Sequence, residues 1–224
     1  MIPLRKADAL TAAFFNRDPR RVARGLLGKL LVRKTRLGPL AGRIVETEAY
    51  LGENDDAAHA VAGKTARNFV LFGPPGRAYV YFIYGNHYCL NVSCLPDGVP
   101  GCVLFRALEP VFGVDAMARA RRIEIHEPHD LEKISVLRQI SSGPGRMCEA
   151  LGITRQRDNG KSLASVRSDL RILDDGFRVR QVLVTPRIGI KKSAEQPLRY
   201  FAAGNPFVSG PHPLQPSQKN LTRE

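Results

Sequence analysis

Residues 78–93 read AYVYFIYGNHYCLNVS, two runs of β-branched and aromatic residues with Gly85-Asn86 between them. Such runs are typical of strands, and a Gly-Asn pair is typical of the tight turn that joins two antiparallel strands. The stretch therefore predicts a β-hairpin, which makes a sheet of antiparallel character the starting point for the fold.

Strand-like runs continue on both sides of the hairpin. They are bounded by turn-forming residues and lie at residues 40–50, 102–108, 170–173, 179–184 and 198–202. Helical segments are interleaved with them without a regular β-α-β pattern, which favours a mixed sheet of antiparallel character. We expect an α+β fold: a single mixed domain, residues 1–209, built on an antiparallel β-sheet flanked by helices. The Pro-rich residues 210–224 are expected to form a flexible C-terminal tail.

Three segments carry helical signals. The first begins at Asp18-Pro19, where an N-cap residue precedes a proline suited to the first helical position. Four apolar residues then mark one helical face: Val22, Leu26, Leu27 and Leu30. Two further helices are predicted at residues 111–122 and 143–151.

The net charge is the strongest global property of the chain. Its 224 residues include 34 Lys and Arg against 21 Asp and Glu, a formal charge of +13 that predicts a polyanionic partner, nucleic acid or an anionic membrane. No apolar run approaches the roughly 20 residues of a membrane span. Residues 1–10 lack the apolar stretch of a signal peptide. We therefore expect a cytoplasmic protein, associated with the nucleoid in a bacterium, or a nuclear protein in a eukaryote.

The four cysteines, at positions 89, 94, 102 and 148, lack the short paired spacing that is typical of zinc sites. The first three fall within apolar runs that are predicted to be strands. We therefore expect buried, reduced thiols and no metal site among them.

The acidic residues are concentrated in one short segment. Residues 39–60 contain five carboxylates and one arginine, whereas residues 1–38 contain ten basic residues and two acidic ones. In a strand, Glu46, Glu48 and Tyr50 lie on one face. One interpretation is an edge strand whose charges block aggregation. The other is a general base, Glu48, that polarises a water molecule beside the ring of Tyr50.

Aromatic and polar residues in the hairpin region add candidates for a binding site. Four of the six tyrosines, at 79, 81, 84 and 88, fall within ten residues, where they either pack in the core or stack on nucleic-acid bases. Asn91 and Arg106 lie within apolar runs, and a buried polar group there needs a hydrogen-bond partner. Arg106 either forms a structural ion pair with Glu46 or Glu48, or it holds a catalytic carboxylate and water in place.

Several motifs, in order along the chain, resemble those of the alkyladenine (3-methyladenine) DNA glycosylases, the type without a helix-hairpin-helix. They are RIVETEAYLG at 43–52, KTARN at 64–68, YVYFIYG at 79–85, CLNVS at 89–93, LFRALEP at 104–110, SGPG at 142–145, PRIGI at 186–190 and PLRY at 197–200. The resemblance extends from about residue 10 to residue 209. It implies a monofunctional repair hydrolase that flips alkylated or deaminated purines out of duplex DNA and leaves an abasic site. It also implies a monomer that needs no cofactor, metal, membrane or obligate protein partner.

The resemblance also implies roles for individual residues. Glu48 matches the general base that activates water, and Arg106 and the main-chain carbonyl of Ile188 match the groups that hold this water. The flipped base is expected to be enclosed by Tyr50, His59, Tyr81 and Asn91, of which Asn91 at the pocket floor disfavours the exocyclic amine of guanine. Tyr84 matches the residue that intercalates into the gap in the duplex. Positions that touch the DNA backbone are matched by Thr65, Asn86, His87 and Gly189.

Two other functions fit the same residues. In a metal-dependent nuclease or phosphodiesterase, Mg²⁺ or Mn²⁺ is bound by acids and a histidine of one segment: Glu46, Glu48, Asp55, Asp56 and His59. In a non-catalytic nucleic-acid-binding module, the tyrosines stack on bases and the acids are structural. EDTA stops the nuclease and leaves a glycosylase active, whereas Glu48→Gln leaves every property of a binding module unchanged.

Overall fold

All the strands that the structure describes belong to one antiparallel sheet. The computed structural model describes residues 7–83 and 85–210. Its strands are β1 Asp8–Ala9, β2 Leu30–Thr35, β3 Gly38–Tyr50, β4 Ala78–Ile83, β5 His87–Ser93, β6 Cys102–Phe112, β7 Leu170–Asp174, β8 Val182–Thr185 and β9 Arg199–Ala202. Seven lie in the order β1-β7-β2-β3-β6-β5-β4, while β9 pairs with β3 and β8 pairs with β9. The predicted hairpin is β4–β5, and the predicted α+β fold is confirmed.

Short helices connect the strands and cover one side of the sheet. Within the described ranges they are α1 Ala12–Phe15, α2 Pro19–Leu26, α3 Val114–Ala120, α4 Ile134–Ser141, α5 Pro144–Ala150 and α6 Arg155–Asp158. No helix in residues 7–83 and 85–210 has the length and apolar character needed to cross a membrane. The predicted start of α2 is confirmed, because the Asp18 carboxylate accepts a hydrogen bond from the Arg20 amide at 2.8 Å and Pro19 is the first helical residue.

Two predicted helix boundaries are wrong, and each error has a backbone cause. The helix α2 ends before Gly28, whose positive φ of +87° turns the chain, so that Leu30 begins β2 instead of continuing the helical face. The helix predicted over 111–122 is shorter because β6 continues to Phe112. Gly113, with a φ of +69°, then separates the end of β6 from the start of α3.

The strand β3 lies in the interior of the sheet. It pairs with β2 along its first half, with β9 along Glu46, Thr47 and Glu48, and with β6 on its other side. The interpretation that its acids protect an exposed edge is therefore wrong. Both glutamate side chains are fully buried, so their charges need partners inside the protein.

The two faces of the sheet differ in polarity. Residues directly opposite each other in neighbouring strands point to the same side, and one such row consists of Tyr79, Asn91, Leu104, Glu48 and Arg199. On the other face, Ala49, Val92 and Phe105 belong to the main hydrophobic core, which also includes residues of α1, α2 and α5. The helices thus cover the apolar face of the sheet, and the polar row lies on the opposite face.

All four cysteines are buried and none forms a disulfide bond, which confirms the prediction of buried thiols. The predicted domain boundary after residue 209 stays a prediction. Of the predicted tail, only Gly210 belongs to the described residues, and 211–224 lie outside them.

Candidate active site

A cavity of about 680 Å³ opens on the polar face of the sheet. It is lined by side chains of β3, β4, β5 and β6 and by residues from the segments 57–59, 143–146 and 188–190. Its volume lies within the roughly 300–1,000 Å³ of small-molecule pockets. Eight residues predicted from the sequence line it: Tyr50, His59, Tyr81, His87, Asn91, Arg106, Ile188 and Gly189.

The Glu48 carboxylate lies behind the cavity wall and is held by three donors. Its Oε1 accepts a hydrogen bond from the Ile188 amide at 2.8 Å and lies 3.2 Å from Arg106 Nη1. Its Oε2 accepts a hydrogen bond from the Tyr50 hydroxyl at 3.0 Å. The Glu48 side chain is fully buried, yet all three partners line the cavity. The carboxylate is therefore fixed in one orientation immediately beside the cavity.

Arg106 joins Glu48 to a second buried carboxylate. Its Nε donates to Glu46 Oε1 at 3.0 Å, its Nη1 contacts Glu48 Oε1, and its Nη2 donates to the Ser209 hydroxyl at 3.3 Å. Burial lowers the pKa of Arg106, but Glu48 and Glu46 raise this pKa by more, so the guanidinium stays charged. Arg106 thus forms buried ion pairs with Glu46 and Glu48, the two partners that the sequence suggested. Glu48 is the predicted general base.

Glu46 is bound by groups that lie far away in the sequence. Besides Arg106, Arg199 Nε donates to its Oε1 at 2.6 Å and the Ser209 amide donates to its Oε2 at 2.6 Å. Arg199 Nη2 also donates to the Ser209 carbonyl at 3.1 Å. Neither Arg199 nor Ser209 is among the site residues expected from the sequence. Arg199 was visible only as a member of the PLRY motif, and no local pattern marks Ser209.

A second buried ion pair fixes the loop after β8. Arg187 Nη1 and Nη2 donate to the two carboxylate oxygens of Asp55 at 2.5 and 2.8 Å, and both side chains are fully buried. Arg187 also donates to the Ala49 carbonyl at 3.1 Å and lies 4.6 Å from the centroid of the Tyr50 ring. Burial raises the pKa of Asp55, but hydrogen bonds, led by those from Arg187, lower it below its usual value. Arg187 thus ties the loop both to Asp55 and to Ala49 of β3, directly next to Ile188.

Aromatic rings line one part of the cavity. The Tyr79 hydroxyl lies 2.9 Å from His59 Nδ1, and the His59 and Tyr81 rings meet edge to face with centroids 4.5 Å apart. Burial raises the pKa of Tyr79 to about 12, so its hydroxyl stays protonated. His59 is exposed towards solvent, but burial of its inner side lowers its pKa and nearby Arg67 lowers it further. The imidazole is therefore neutral at neutral pH.

The Asn91 side chain is fixed within the polar row of the sheet. Its Nδ2 donates to the Tyr79 carbonyl at 3.3 Å, and its Oδ1 accepts a weak hydrogen bond from the Cys102 thiol at 3.8 Å. Asn91 is almost fully buried and lines the cavity. Because both ends of the amide are engaged, the side chain presents a fixed shape to whatever occupies the cavity.

Two of the predicted DNA contacts do not line the cavity. Thr65 and Asn86 are exposed and do not line the cavity. Tyr84, the predicted intercalating residue, lies outside the described residues. The roles of all three stay predictions.

The acids named in the metal-dependent alternative do not converge on one point. Glu46 and Glu48 face Arg106, Asp55 pairs with Arg187, and Asp56 is exposed. Among the residues that the structure describes, no group of three or more His, Cys, Asp or Glu side chains could hold a metal ion. The buried carboxylates of this set instead pair with arginines: Glu46 and Glu48 share Arg106, Glu46 also binds Arg199, and Asp55 binds Arg187.

Two arginines with no role expected from the sequence also line the cavity. Arg121 forms an ion pair with Glu149, and Arg146 Nη1 donates to the Ser142 carbonyl at 3.4 Å. The only signal for Arg146 is its place directly after the SGPG motif. Both residues bring positive charge close to the cavity, and the charge of Arg121 is balanced by Glu149.

Most of the chain is similar to proteins of one family. The family described as methylpurine-DNA glycosylase (MPG) matches residues 13–206. A protein of Koribacter versatilis is 65% identical over 201 residues, which cover 90% of this chain and 93% of that protein. A relative from Methanocella arvoryzae is 44% identical over 199 residues, which cover 88% of this chain and 93% of that protein. A relative from Anaeromyxobacter dehalogenans is 42% identical over 207 residues, which cover 91% of this chain and 87% of that protein. All three are named "Putative 3-methyladenine DNA glycosylase".

Proposed function

The chain belongs to the methylpurine-DNA glycosylase family, and from this premise we propose that its cavity receives a damaged purine flipped out of duplex DNA. The protein is a 3-methyladenine DNA glycosylase, a hydrolase of base excision repair that removes alkylated bases. We extend its substrates to deaminated purines such as hypoxanthine, with an abasic site as the product. The observation that carries this proposal is the Glu48 carboxylate, which is fully buried and bonded to three groups that line the cavity.

In the proposed reaction Glu48 is the general base. A carboxylate has acceptor sites for about four hydrogen bonds, and three donors contact Glu48, so an acceptor site remains for a water molecule. Glu48 takes a proton from this water as its oxygen attacks the sugar C1′, and the electrons of the N-glycosidic bond leave with the base. Arg106 and the main-chain carbonyl of Ile188 orient the water. This arrangement needs no bound cofactor.

The aromatic wall favours a cationic base. An N-alkylated purine carries positive charge, and its attraction to the faces of Tyr50 and Tyr81 is worth about 0.5–2 kcal/mol. The lowered pKa of His59 supports the same preference, because a neutral imidazole does not repel a cationic base. If the Tyr79 hydroxyl donates to His59 Nδ1, the other ring nitrogen carries the N–H and can donate a hydrogen bond to the flipped base.

Asn91 is proposed to exclude undamaged guanine. Its amide is engaged at both ends, so it cannot turn away from a bulky substituent. The exocyclic amine of guanine then meets a fixed group that offers it no free space, and leaving this amine without a hydrogen-bond partner costs about 1–3 kcal/mol. Hypoxanthine lacks this amine and is accommodated.

Contacts with the DNA backbone complete the proposal. The net charge of +13 supplies salt-sensitive attraction to phosphates. Tyr84 is proposed to fill the gap that the flipped base leaves in the duplex, on the strength of the sequence resemblance. Backbone contacts are proposed for residues near the open side of the cavity or exposed on the surface: Thr65, Asn86, His87 and Gly189. We expect the protein to act as a monomer on damaged double-stranded DNA, without an obligate protein partner.

The decisive experiment measures base release from duplexes that each carry one damaged base. The panel contains 3-methyladenine, 7-methylguanine, hypoxanthine and ethenoadenine, and each reaction is run both with EDTA and with Mg²⁺ in its place. We expect free base and alkali-labile abasic sites without prior strand cleavage. Strand cleavage that EDTA abolishes would indicate the metal-dependent nuclease instead. Binding without release of any base would indicate a non-catalytic module.

A further inference from the structure

Glu46 is a fully buried carboxylate to which the proposed reaction assigns no role. We propose that Glu46 is a positioning residue, which holds Arg106 in the one orientation that leaves Glu48 able to bind and activate water. This inference rests on the proposed role of Glu48 as the general base. The inference is drawn from the contacts of Arg106, whose three guanidinium nitrogens each contact a different acceptor residue.

Each nitrogen of Arg106 has its own acceptor. Nε donates to Glu46 at 3.0 Å, Nη2 donates to the Ser209 hydroxyl at 3.3 Å, and Nη1 alone reaches Glu48, at 3.2 Å. An arginine that is free to turn prefers to bind a carboxylate through two nitrogens at once, one to each oxygen. Glu46 and Ser209 prevent this arrangement, because they hold two corners of the guanidinium group away from Glu48.

Charge balance leads to the same conclusion. Two buried carboxylates, Glu46 and Glu48, face two buried cations, Arg106 and Arg199, with no net charge. In the sheet register Arg199 stands directly opposite Glu48, but its Nε donates to Glu46 at 2.6 Å. Without the charge of Glu46, both cations are left with Glu48 as the nearest carboxylate. Glu48 then loses the acceptor site that the reacting water needs.

The test compares Glu46→Gln with a matched control, Glu109→Gln. Glu109 lies on β6 and accepts a hydrogen bond from Asn205 at 3.0 Å, so the control removes a carboxylate that also contacts the segment before Ser209 but lies outside the site. For Glu46→Gln we expect the single-turnover rate of base release to fall about 100-fold, while the affinity for a duplex with an abasic-site analogue changes by less than about threefold. For Glu109→Gln we expect both quantities to stay at the wild-type value.

The rate of base release and the affinity for the abasic-site analogue together separate positioning from a loss of packing. Without the Glu46 carboxylate, Arg106 can turn and bind both oxygens of Glu48. The rate therefore falls while the affinity is kept, whereas a purely structural defect lowers both quantities.

The possible outcomes are distinct. If the wild-type protein releases no base, the proposed function fails and Glu46 has no reaction to support. If the wild type is active and Glu46→Gln keeps its rate, or loses rate and affinity together, the positioning role is wrong. Should Glu46→Gln fail to fold, Ser209→Ala removes only one anchor of Arg106 and keeps the backbone amide bound to Glu46. A smaller loss of rate at unchanged affinity is then expected, and an unchanged rate overturns the inference.

Discussion

Replacing Arg187 with methionine is expected to lower the free energy of unfolding by about 3–5 kcal/mol. The substitution keeps most of the side-chain volume but leaves the Asp55 carboxylate buried without its cation. In the wild type, two hydrogen bonds of 2.5 and 2.8 Å join the pair and neither side chain has exposed surface. For a protein of this size the loss corresponds to a melting temperature lower by about 6–20 °C.

Denaturant unfolding and calorimetry measure this effect, and an exposed ion pair provides the control. Arg20→Met removes a cation that lies 2.6 Å from Asp18 on the surface, where an ion pair is worth about 0–1 kcal/mol. Removing both buried charges, in Asp55→Asn with Arg187→Met, should be less harmful than Arg187→Met alone, since no uncompensated charge remains. A loss below about 1 kcal/mol for Arg187→Met would refute the reasoning, because it would mean that the buried charge needs no partner.

The same pair makes a prediction about pH. The folded protein lowers the pKa of Asp55 below its usual value of 3.8, so the pair stabilises the fold fully above that value. The stabilisation is lost as the pH falls through the lower pKa of the folded state. The difference in unfolding free energy between the wild type and Arg187→Met should therefore narrow as the pH falls below about 3.8.

Three further substitutions test the site and the fold. Glu48→Gln should abolish base release while lesion binding persists, which single-turnover kinetics and a binding titration measure together; release near the wild-type rate would mean that another residue is the base. Asn91→Ala should increase the release of undamaged guanine relative to hypoxanthine, and an unchanged ratio in a competition assay would remove Asn91 from substrate selection. Gly52→Ala should prevent stable folding, because Gly52 has a φ of +86° and a Cβ atom there would collide with the Pro100 carbonyl; thermal unfolding at the wild-type temperature would contradict this.

The sequence correctly predicted the secondary-structure elements whose defining contacts join residues close together in the chain. The hairpin β4–β5 and the start of α2 each depend on a turn or a cap within a few residues, so their signals lie next to one another in the sequence. Leu30 was misassigned because its spacing from Leu26 also suits a helix. Only the positive φ of Gly28 and the pairing of β2 with β3 and β7 decide in favour of a strand.

The residues of the candidate site were predicted in part. Those that the sequence did not indicate contact the site from positions far away in the chain. Alternation along β3 placed Glu46, Glu48 and Tyr50 together, but it gave no reason why two buried carboxylates are tolerated. The reason is Arg106, which contacts both, together with Arg199 and Ser209, which meet Glu46 across 153 and 163 residues of sequence. Contacts of this range follow from the sheet order, in which β9 lies beside β3, and no short pattern encodes that order.

The bond between Glu46 and Ser209 also bears on the order of events during biosynthesis. Glu46 and Glu48 are translated early, whereas Arg199 and Ser209 are among the last of the described residues to leave the ribosome. Until they arrive, β3 has no β9 beside it and two carboxylates lack part of their compensating charge. The nascent chain therefore cannot complete the proposed catalytic centre until residues 199–209 have been made. We expect a chain that ends before residue 199 to release no base, although every residue of the proposed base pocket has been made.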